Sequence, residues 1–151
     1  MLIALLLGIA TIAVSMGIQV LAVVVMVRQI THYQANNEIN GAFRIDAVIL
    51  SIVLTVMFAG HILQIAIWAL LFVFLQEFTD FATAFYHSTV NFASLGYGDI
   101  VMSEKWRLLG ALEASNGVLM FGLTAGTLLT VMTRLFSRHK GRIEAMKAGK
   151  D

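Results

Sequence analysis

Ser94-Leu95-Gly96-Tyr97-Gly98-Asp99 is a short glycine-rich stretch between two long apolar segments, residues 45–76 and 106–134. Its two glycines flank an aromatic residue, and a hydroxyl residue stands two positions before the first of them. Glycine readily adopts the left-handed conformations that let successive carbonyl groups point in one direction. Rings of such carbonyls can replace the water around a dehydrated cation. The stretch therefore favours a cation-coordinating loop between two membrane helices.

The composition is that of a membrane protein. The chain has 151 residues, of which 59% are hydrophobic and 13% charged, and its mean hydropathy is +0.85. Soluble domains carry roughly 25% charged residues. The chain has no cysteine, which excludes a disulfide framework, a thiolate metal site and a cysteine nucleophile.

The N-terminal segment predicts an additional membrane helix. Residues 1–27 carry no charged side chain, and ~20 apolar residues suffice to cross the hydrocarbon core. A cleaved signal peptide is the alternative, but such a peptide begins with basic residues and has a shorter apolar core. We therefore predict a retained transmembrane helix over residues 1–28, followed by a polar cytoplasmic linker over residues 29–44.

The central part of the chain predicts a helix, a half-length helix, a loop and a second helix. The half-length helix is too short to span a bilayer, and such a piece is tolerated at membrane depth only where protein buries it or it lines water. Its carboxyl end would point partial negative charge at the loop, which favours a cation there. The predicted elements of this part, residues 45–135, are an outer helix 45–76, a pore helix 80–93, a loop 94–99 and an inner helix 106–134. The fold class predicted is an all-α membrane protein with three transmembrane helices and one re-entrant helix.

The distribution of basic residues predicts the orientation. One side of the membrane has Arg28, Arg44 and six further lysines or arginines. These six are Arg134 and the five basic residues of the basic tail, residues 136–151. Lys105 and Arg107 lie on the other side. The excess of positive charge marks the cytoplasmic side. We expect a plasma or bacterial inner membrane protein with its N-terminus outside and its C-terminus in the cytoplasm.

The glycine-rich loop resembles the selectivity filter of the tetrameric potassium channel family, whose usual form is Thr-Val-Gly-Tyr-Gly-Asp. The last four residues match, while Ser94 replaces Thr and Leu95 replaces Val. The resemblance covers residues 45–135 and says nothing about the first helix. It implies a homotetramer in the lipid bilayer, with potassium ions as the permeant ligand and no other cofactor.

The resemblance also implies roles for individual residues. The carbonyls of Ser94, Leu95, Gly96 and Tyr97 would surround the potassium ions, with Gly98 and Asp99 at the outer mouth. The Ser94 hydroxyl would complete the innermost site. The positions that match the family's cavity lining are Val118, Phe121, Gly122, Ala125 and Leu129. These residues share one helix face, and a lipid or helix contact face would suit their types equally well. Gly117 matches the usual hinge position or, alternatively, permits close helix packing.

Three polar residues are candidates for functional roles, two in the outer helix and one in the half-helix. His61 and Gln64 lie in the middle of the outer helix, where an interhelical hydrogen bond is the favoured interpretation. His87, on the half-helix, is predicted to bond the Tyr97 hydroxyl or the Asp99 carboxylate, or else to face the outer vestibule.

Glu113 is the acidic residue inside the inner helix. By helical angle it points away from the cavity face, so we predict that it braces the half-helix through Ser88, Thr89 or Asn91 and does not line the ion path.

Other functions are weaker alternatives. The Gly-x-Gly-Asp pattern also occurs in intramembrane aspartyl proteases, but that chemistry needs two carboxylates close enough to share a proton, and no second Asp lies in a facing span. An enzyme is therefore not predicted. Val90 and Met102 also depart from residues that are common in the family. The alternatives to a potassium channel are a non-selective cation channel and a non-conducting accessory subunit.

Overall fold

The part of the chain that the structure describes folds into four helices. The computed structural model describes residues 1–36 and 42–148, in which all regular structure is α-helical. The helices are α1 (Leu2–Asn36), α2 (Ala42–Phe74), α3 (Phe81–Phe92) and α4 (Arg107–Ala148). This architecture confirms the predicted all-α fold.

Three of the helices are long and apolar enough to cross a membrane. The spans are Leu2–His32, Asp46–Phe74 and Arg107–Ser137, with mean hydropathies of 2.3, 2.2 and 1.5. Helix α3 has 12 residues and is therefore about 18 Å long, too short to cross. The structure thus agrees with three predicted spans and one half-length helix.

The long helices extend beyond their predicted ends. Helix α1 continues to Asn36 and α2 begins at Ala42, so most of the segment predicted as a linker is helical. Helix α4 continues to Ala148, through the segment predicted as a separate basic tail. That segment contains no proline and is rich in Lys, Arg, Glu, Ala and Met, which are favourable in helices, so no residue stops α4 where the membrane span ends.

Two apolar clusters hold the helices together. The first lies at the end of the bundle where α3 sits, and its fully buried side chains include Trp68, Phe72, Phe92, Leu109 and Met120. The second lies at the opposite end, among α1, α2 and α4; its buried members are Ala22, Met26, Ile49, Val53, Met57, Val131 and Leu135. Burying such side chains in close packing fixes the position of α3 at one end of the bundle.

A layer of polar side chains separates the two clusters. Gln19 of α1 donates to the Thr124 hydroxyl of α4 at 3.1 Å and accepts from Gln64 of α2 at 3.0 Å. The Thr124 hydroxyl also lies 3.0 Å from Nε2 of His61. Gln19, Gln64 and His61 are all buried. The predicted interhelical hydrogen bonding of His61 and Gln64 is confirmed, and its partners tie α1 to both other long helices.

Candidate functional site

Helix α3 is held at both ends by local hydrogen bonds. Asp80 adopts an extended conformation before the first turn, and its Oδ1 accepts from the Thr83 amide at 2.8 Å, as an N-cap residue does. At the other end the Ser94 amide donates to the Asn91 carbonyl at 2.8 Å and the Leu95 amide to the Val90 carbonyl at 2.9 Å. This pattern is a Schellman-type termination, which places the glycine-rich loop directly at the carboxyl end of α3.

The backbone of the loop alternates in handedness. Ser94, Gly96 and Gly98 have φ angles of 57°, 59° and 74°, whereas Leu95 and Tyr97 do not have positive φ. In an ordinary strand successive carbonyls point to opposite sides, and a left-handed residue at every second position turns them toward the same side. Residues 94–99 are all exposed in the single chain. The loop therefore presents a row of carbonyl groups as candidate cation ligands.

The Ser94 side chain contacts the inner helix. Its hydroxyl lies 3.5 Å from the carbonyl oxygen of Ala114 on α4, a long contact. Ser94 also carries the left-handed conformation that ends α3, a position where glycine is usual. The role of its hydroxyl at an innermost ion site stays a prediction.

Tyr86 holds the Asp99 carboxylate at the end of the loop. Its hydroxyl donates to Oδ2 of Asp99 at 2.6 Å, and Oδ1 of Asp99 accepts from the Ile100 amide at 3.0 Å. The hydrogen bond from Tyr86 lowers the pKa of Asp99 below its ordinary value, and the same contact raises the pKa of Tyr86. The sequence reasoning missed Tyr86, although an aromatic hydroxyl beside His87 on the half-helix was a usable signal.

Removing the Tyr86 hydroxyl is expected to make Asp99 easier to protonate. A depressed pKa contributes stability that is present above the ordinary value of 3.8 and is lost as the pH falls through the lower folded value. In Tyr86→Phe the pKa of Asp99 should rise toward 3.8, which is measurable by carbon-13 carboxyl titration in micelles. The Asp80 carboxyl serves as the internal control, because its Thr83 partner is untouched. An unchanged Asp99 titration would show that the contact is absent in solution.

His87 supports the loop through partners other than those predicted. Its Nδ1 lies 3.2 Å from the Ile100 carbonyl and its Nε2 lies 2.8 Å from the Asn91 amide nitrogen. Since the Asn91 amide donates, Nε2 accepts and Nδ1 carries the proton that goes to Ile100. The ring is buried, at 5% exposure, against Phe72 and Phe78. The predicted bond to Tyr97 or Asp99 is therefore replaced by one to the backbone just after Asp99.

This arrangement favours neutral His87 and sets the sign of its pH response. Burial lowers the pKa of His87 below its ordinary value of 6.5, although the hydrogen bond to the Ile100 carbonyl and the nearby Glu77 and Asp99 oppose that effect. Stability contributed by a neutral buried histidine is present above pH 6.5 and falls as the pH drops below it. We expect the wild type to lose thermal stability in micelles below pH 6.5 more steeply than His87→Phe, with parallel curves above it. Parallel curves throughout would contradict this.

Glu77 ties the turn after α2 to the segment that follows the loop. Its carboxylate accepts from both the amide and the hydroxyl of Ser103, the latter at 2.7 Å. Ser103 in turn accepts from the amides of Trp106 and Arg107 at 3.1 Å and 2.9 Å, where α4 begins. The two ends of the α3–loop unit are thus joined, and this pair was not anticipated from the sequence.

Glu113 faces α3 and is fully buried. Ser88 and Asn91 are the polar groups placed to hydrogen-bond its carboxyl, as predicted, whereas the Thr89 hydroxyl donates to the Phe85 carbonyl at 2.7 Å. These contacts are looser than ordinary hydrogen bonds, because among the described residues neither Glu113 oxygen has a partner of good distance and angle. The predicted location beside α3 is thus observed, and the brace through Ser88 and Asn91 stays a prediction.

The neutral isostere should preserve this buried group. We expect Glu113→Gln to keep the stability of the wild type, because an amide can still hydrogen-bond its neighbours. Glu113→Ala should lower the unfolding free energy by ~1–3 kcal/mol per group left unsatisfied. Urea unfolding in micelles measures both, with the exposed Glu104→Ala as a neutral control. If Glu113→Gln abolished ion conduction at unchanged stability, the charge itself would be functional.

Two glycines let α4 approach α3 closely. A Cβ added at Gly117 would overlap the carbonyl oxygen of Phe92 and lie 2.8 Å from its carbonyl carbon. A Cβ at Gly110 would meet the Asn91 side-chain nitrogen at 3.0 Å and Met102 Sδ at 3.1 Å. Of the two interpretations of Gly117, the structure supports close packing directly.

The predicted cavity-lining residues are all exposed in the single chain. Val118, Phe121 and Leu129 are 58%, 42% and 64% exposed, and Gly122 and Ala125 are also exposed. One side of the Phe121 ring packs against His61 at 5.1 Å and Phe92 at 5.7 Å between centroids. All five therefore lie on an open face of α4, and Phe121 is the one that also contacts α2 and α3.

The comparisons with known proteins assign the central part of the chain. A family model described as "Ion channel" matches residues 50–134, more than half of the chain. The chain therefore belongs to this ion channel family, and it is a multi-pass membrane protein. No curated protein and no solved structure matches it. The matched segment contains α3, the loop and most of α2, and it leaves α1 outside.

Proposed function

We propose that this protein is a potassium-selective channel whose ions are coordinated by the carbonyls of Ser94, Leu95, Gly96 and Tyr97. The observation that carries the proposal is the alternating backbone of the loop, with left-handed residues at 94, 96 and 98. That alternation aims successive carbonyls in one direction, as a ring that replaces an ion's hydration shell needs. The loop also follows the carboxyl end of α3, whose partial negative charge favours a cation.

A homotetramer is part of the proposal, because one chain supplies one set of carbonyls. The span of α4 is the least covered of the three, with 17% of its most apolar window buried against 39% for α2. Leu95 and Tyr97, in the loop itself, are 54% and 65% exposed. Four copies around one axis would cover the loop and place Val118, Ala125 and Leu129 around a central cavity. Arg28, Arg44 and the six basic residues from Arg134 onward outnumber Lys105 and Arg107, which favours an N-terminus outside and a cytoplasmic C-terminus.

The test is a measurement of reversal potential. Purified protein is reconstituted into planar bilayers with opposed potassium and sodium gradients, and its oligomeric state is determined by light scattering. We expect a tetramer and a reversal potential that follows potassium. Gly98→Ala, which places a side chain at a φ of 74°, should lose selectivity, while Gly17→Ala, with open space around it on α1, should retain it. A stable tetramer without current would favour an accessory subunit instead.

A non-selective cation channel is the second candidate. It is favoured by one observation, the contact of the Ser94 hydroxyl with the Ala114 carbonyl of α4, a bond that competes with an ion for the hydroxyl. A channel with fewer effective ion sites would discriminate less between potassium and sodium. In the same bilayer experiment this candidate predicts a reversal potential that follows sodium as closely as potassium.

A further inference from the structure

A cavity opens between α1 and α4 at the end of the bundle opposite the loop. Its volume is about 280 Å³. Its eleven lining residues are mostly apolar side chains of α1 and α4, and they include Val23, Val27, Thr31, Thr127, Thr130 and Arg134. Arg134 is the charged one among the eleven. The family match does not extend to α1, which supplies one wall.

The depth of Arg134 places it among lipid headgroups. Trp106, which directly precedes the α4 span, and Arg134 are 28 residues apart, or about 42 Å along a helix. A bilayer with its headgroup regions is ~40–45 Å thick. When Trp106 lies at one interface, Arg134 lies at the headgroup level of the other leaflet. The apolar residues before it, down to Val23 and Thr127, then lie at the depth of the acyl chains.

We propose that this cavity binds an anionic phospholipid, with an acyl chain between α1 and α4 and its phosphate at Arg134. A guanidinium forms bidentate, charge-assisted hydrogen bonds with phosphate oxygens. Basic pockets between transmembrane helices are a common setting for anionic headgroups. The Thr130 hydroxyl donates to the Gly126 carbonyl at 2.9 Å, so its proton is already used and Arg134 is the donor that a phosphate would meet. The volume suits a segment of one chain.

The competing occupant is a second copy of this chain. The cavity lies on α4, whose open face would meet neighbours in an oligomer, so a helix from another subunit would exclude lipid. Charge favours the lipid, since an arginine on an apolar wall at headgroup level is complementary to a phosphate. The proposal depends on membrane insertion alone, so it can fail or succeed whether or not the protein conducts potassium.

Contact quenching by brominated lipid tests the proposal. The chain has no cysteine, so Val27→Cys provides a single site on the cavity wall for a bimane label. Vesicles of phosphatidylcholine contain a fixed fraction of brominated phosphatidylglycerol or brominated phosphatidylcholine. The relative quenching gives the preference of the site for the anionic lipid. Thr31→Cys is the second labelling position if the first variant does not assemble.

We expect a roughly fivefold preference for phosphatidylglycerol, as one basic residue confers near a membrane surface. Arg134→Gln should remove that preference and Arg134→Lys should retain part of it. Arg28→Gln is the matched control, because Arg28 lies at a similar depth but does not line the cavity. Gln19 and Thr124 are hydrogen-bonded and so share one depth; Arg28 lies about 14 Å further along α1 from Gln19, and Arg134 about 15 Å further along α4 from Thr124.

Three results would overturn the proposal. Equal quenching by both lipids in the parent would mean a non-selective surface. An equal loss of the preference for phosphatidylglycerol in Arg28→Gln and Arg134→Gln would mean that the basic end of the protein attracts anionic lipid without a specific site. No quenching by either lipid at Val27 or Thr31, in protein shown to be folded, would mean that another subunit covers the cavity.

Discussion

Gly117→Ala is expected to abolish the folded channel. A Cβ at this position would overlap the Phe92 carbonyl oxygen, and that oxygen belongs to backbone at the end of α3, which cannot rotate away as a side chain can. Phe92 is itself fully buried among Trp68, Leu109 and Met120, so α3 has no free direction in which to move. Displacing it would also displace the loop that begins at Ser94. We expect loss of the assembled protein on size-exclusion chromatography in detergent.

The helix propensities of alanine and glycine alone would predict that Gly117→Ala stabilises the protein. Alanine stabilises a helix by ~1 kcal/mol relative to glycine, so a helix position without neighbours should gain from the change. Gly126→Ala is the control on the same helix, since nothing lies within 4 Å of its added Cβ. If Gly117→Ala assembled as well as Gly126→Ala and altered only channel opening, Gly117 would be a hinge and the close contact with Phe92 would be wrong.

Gln19→Leu is expected to weaken the attachment of α1 to the rest of the protein. The change removes the acceptor of the Gln64 amide and one donor to Thr124, while Gln64 stays buried and Thr124 partly buried. An unsatisfied buried group costs about 1–3 kcal/mol, whereas interhelical hydrogen bonds in membranes average ~0.6 kcal/mol. We expect a loss of ~1–2 kcal/mol in the unfolding free energy, measured by steric trapping or by denaturant titration in micelles.

The double variant separates a hydrogen bond from general packing. Gln19→Leu combined with Gln64→Leu removes both members of the pair, and replacing both partners by apolar groups of similar shape is nearly neutral. It should therefore be more stable than Gln19→Leu alone. Gln29→Leu, at an exposed position of α1, is the control for added hydrophobicity. A double variant less stable than either single one would show that the polar layer acts through shape and not through hydrogen bonds.

Which residue of α3 contacts Asp99 depends on the rotation of that helix about its axis. The sequence reasoning assigned the support of the outer mouth to His87, and the structure gives the contact with Asp99 to Tyr86. Adjacent residues on a helix point about 100° apart, so which one meets Asp99 depends on how α3 is rotated against α2 and α4. That rotation is decided by the burial of Phe92 and His87, which no local pattern reveals.

The sequence by itself determined the three spans, the half-length helix and the position of the loop. Hydropathy, the N-cap at Asp80 and the glycines at 96 and 98 act within a few residues of chain, so they could be recognised without knowing any neighbour. It also located Glu113 on the side of α4 away from the exposed face, because helical angle is a local property.

Only the tertiary structure decided which groups meet. Gln19 was not recognised as a partner of Gln64, because the two are 45 residues apart and contact only after α1 packs on α2. The role of Gly117 depended on the close approach of Phe92. The hydrogen bond between Glu77 and Ser103 depended on the fold of the segment between them, which brings its two ends together. Each of these contacts joins residues that are distant in sequence. Their formation depends on the packing of whole helices, which the residues on either side of each partner do not encode.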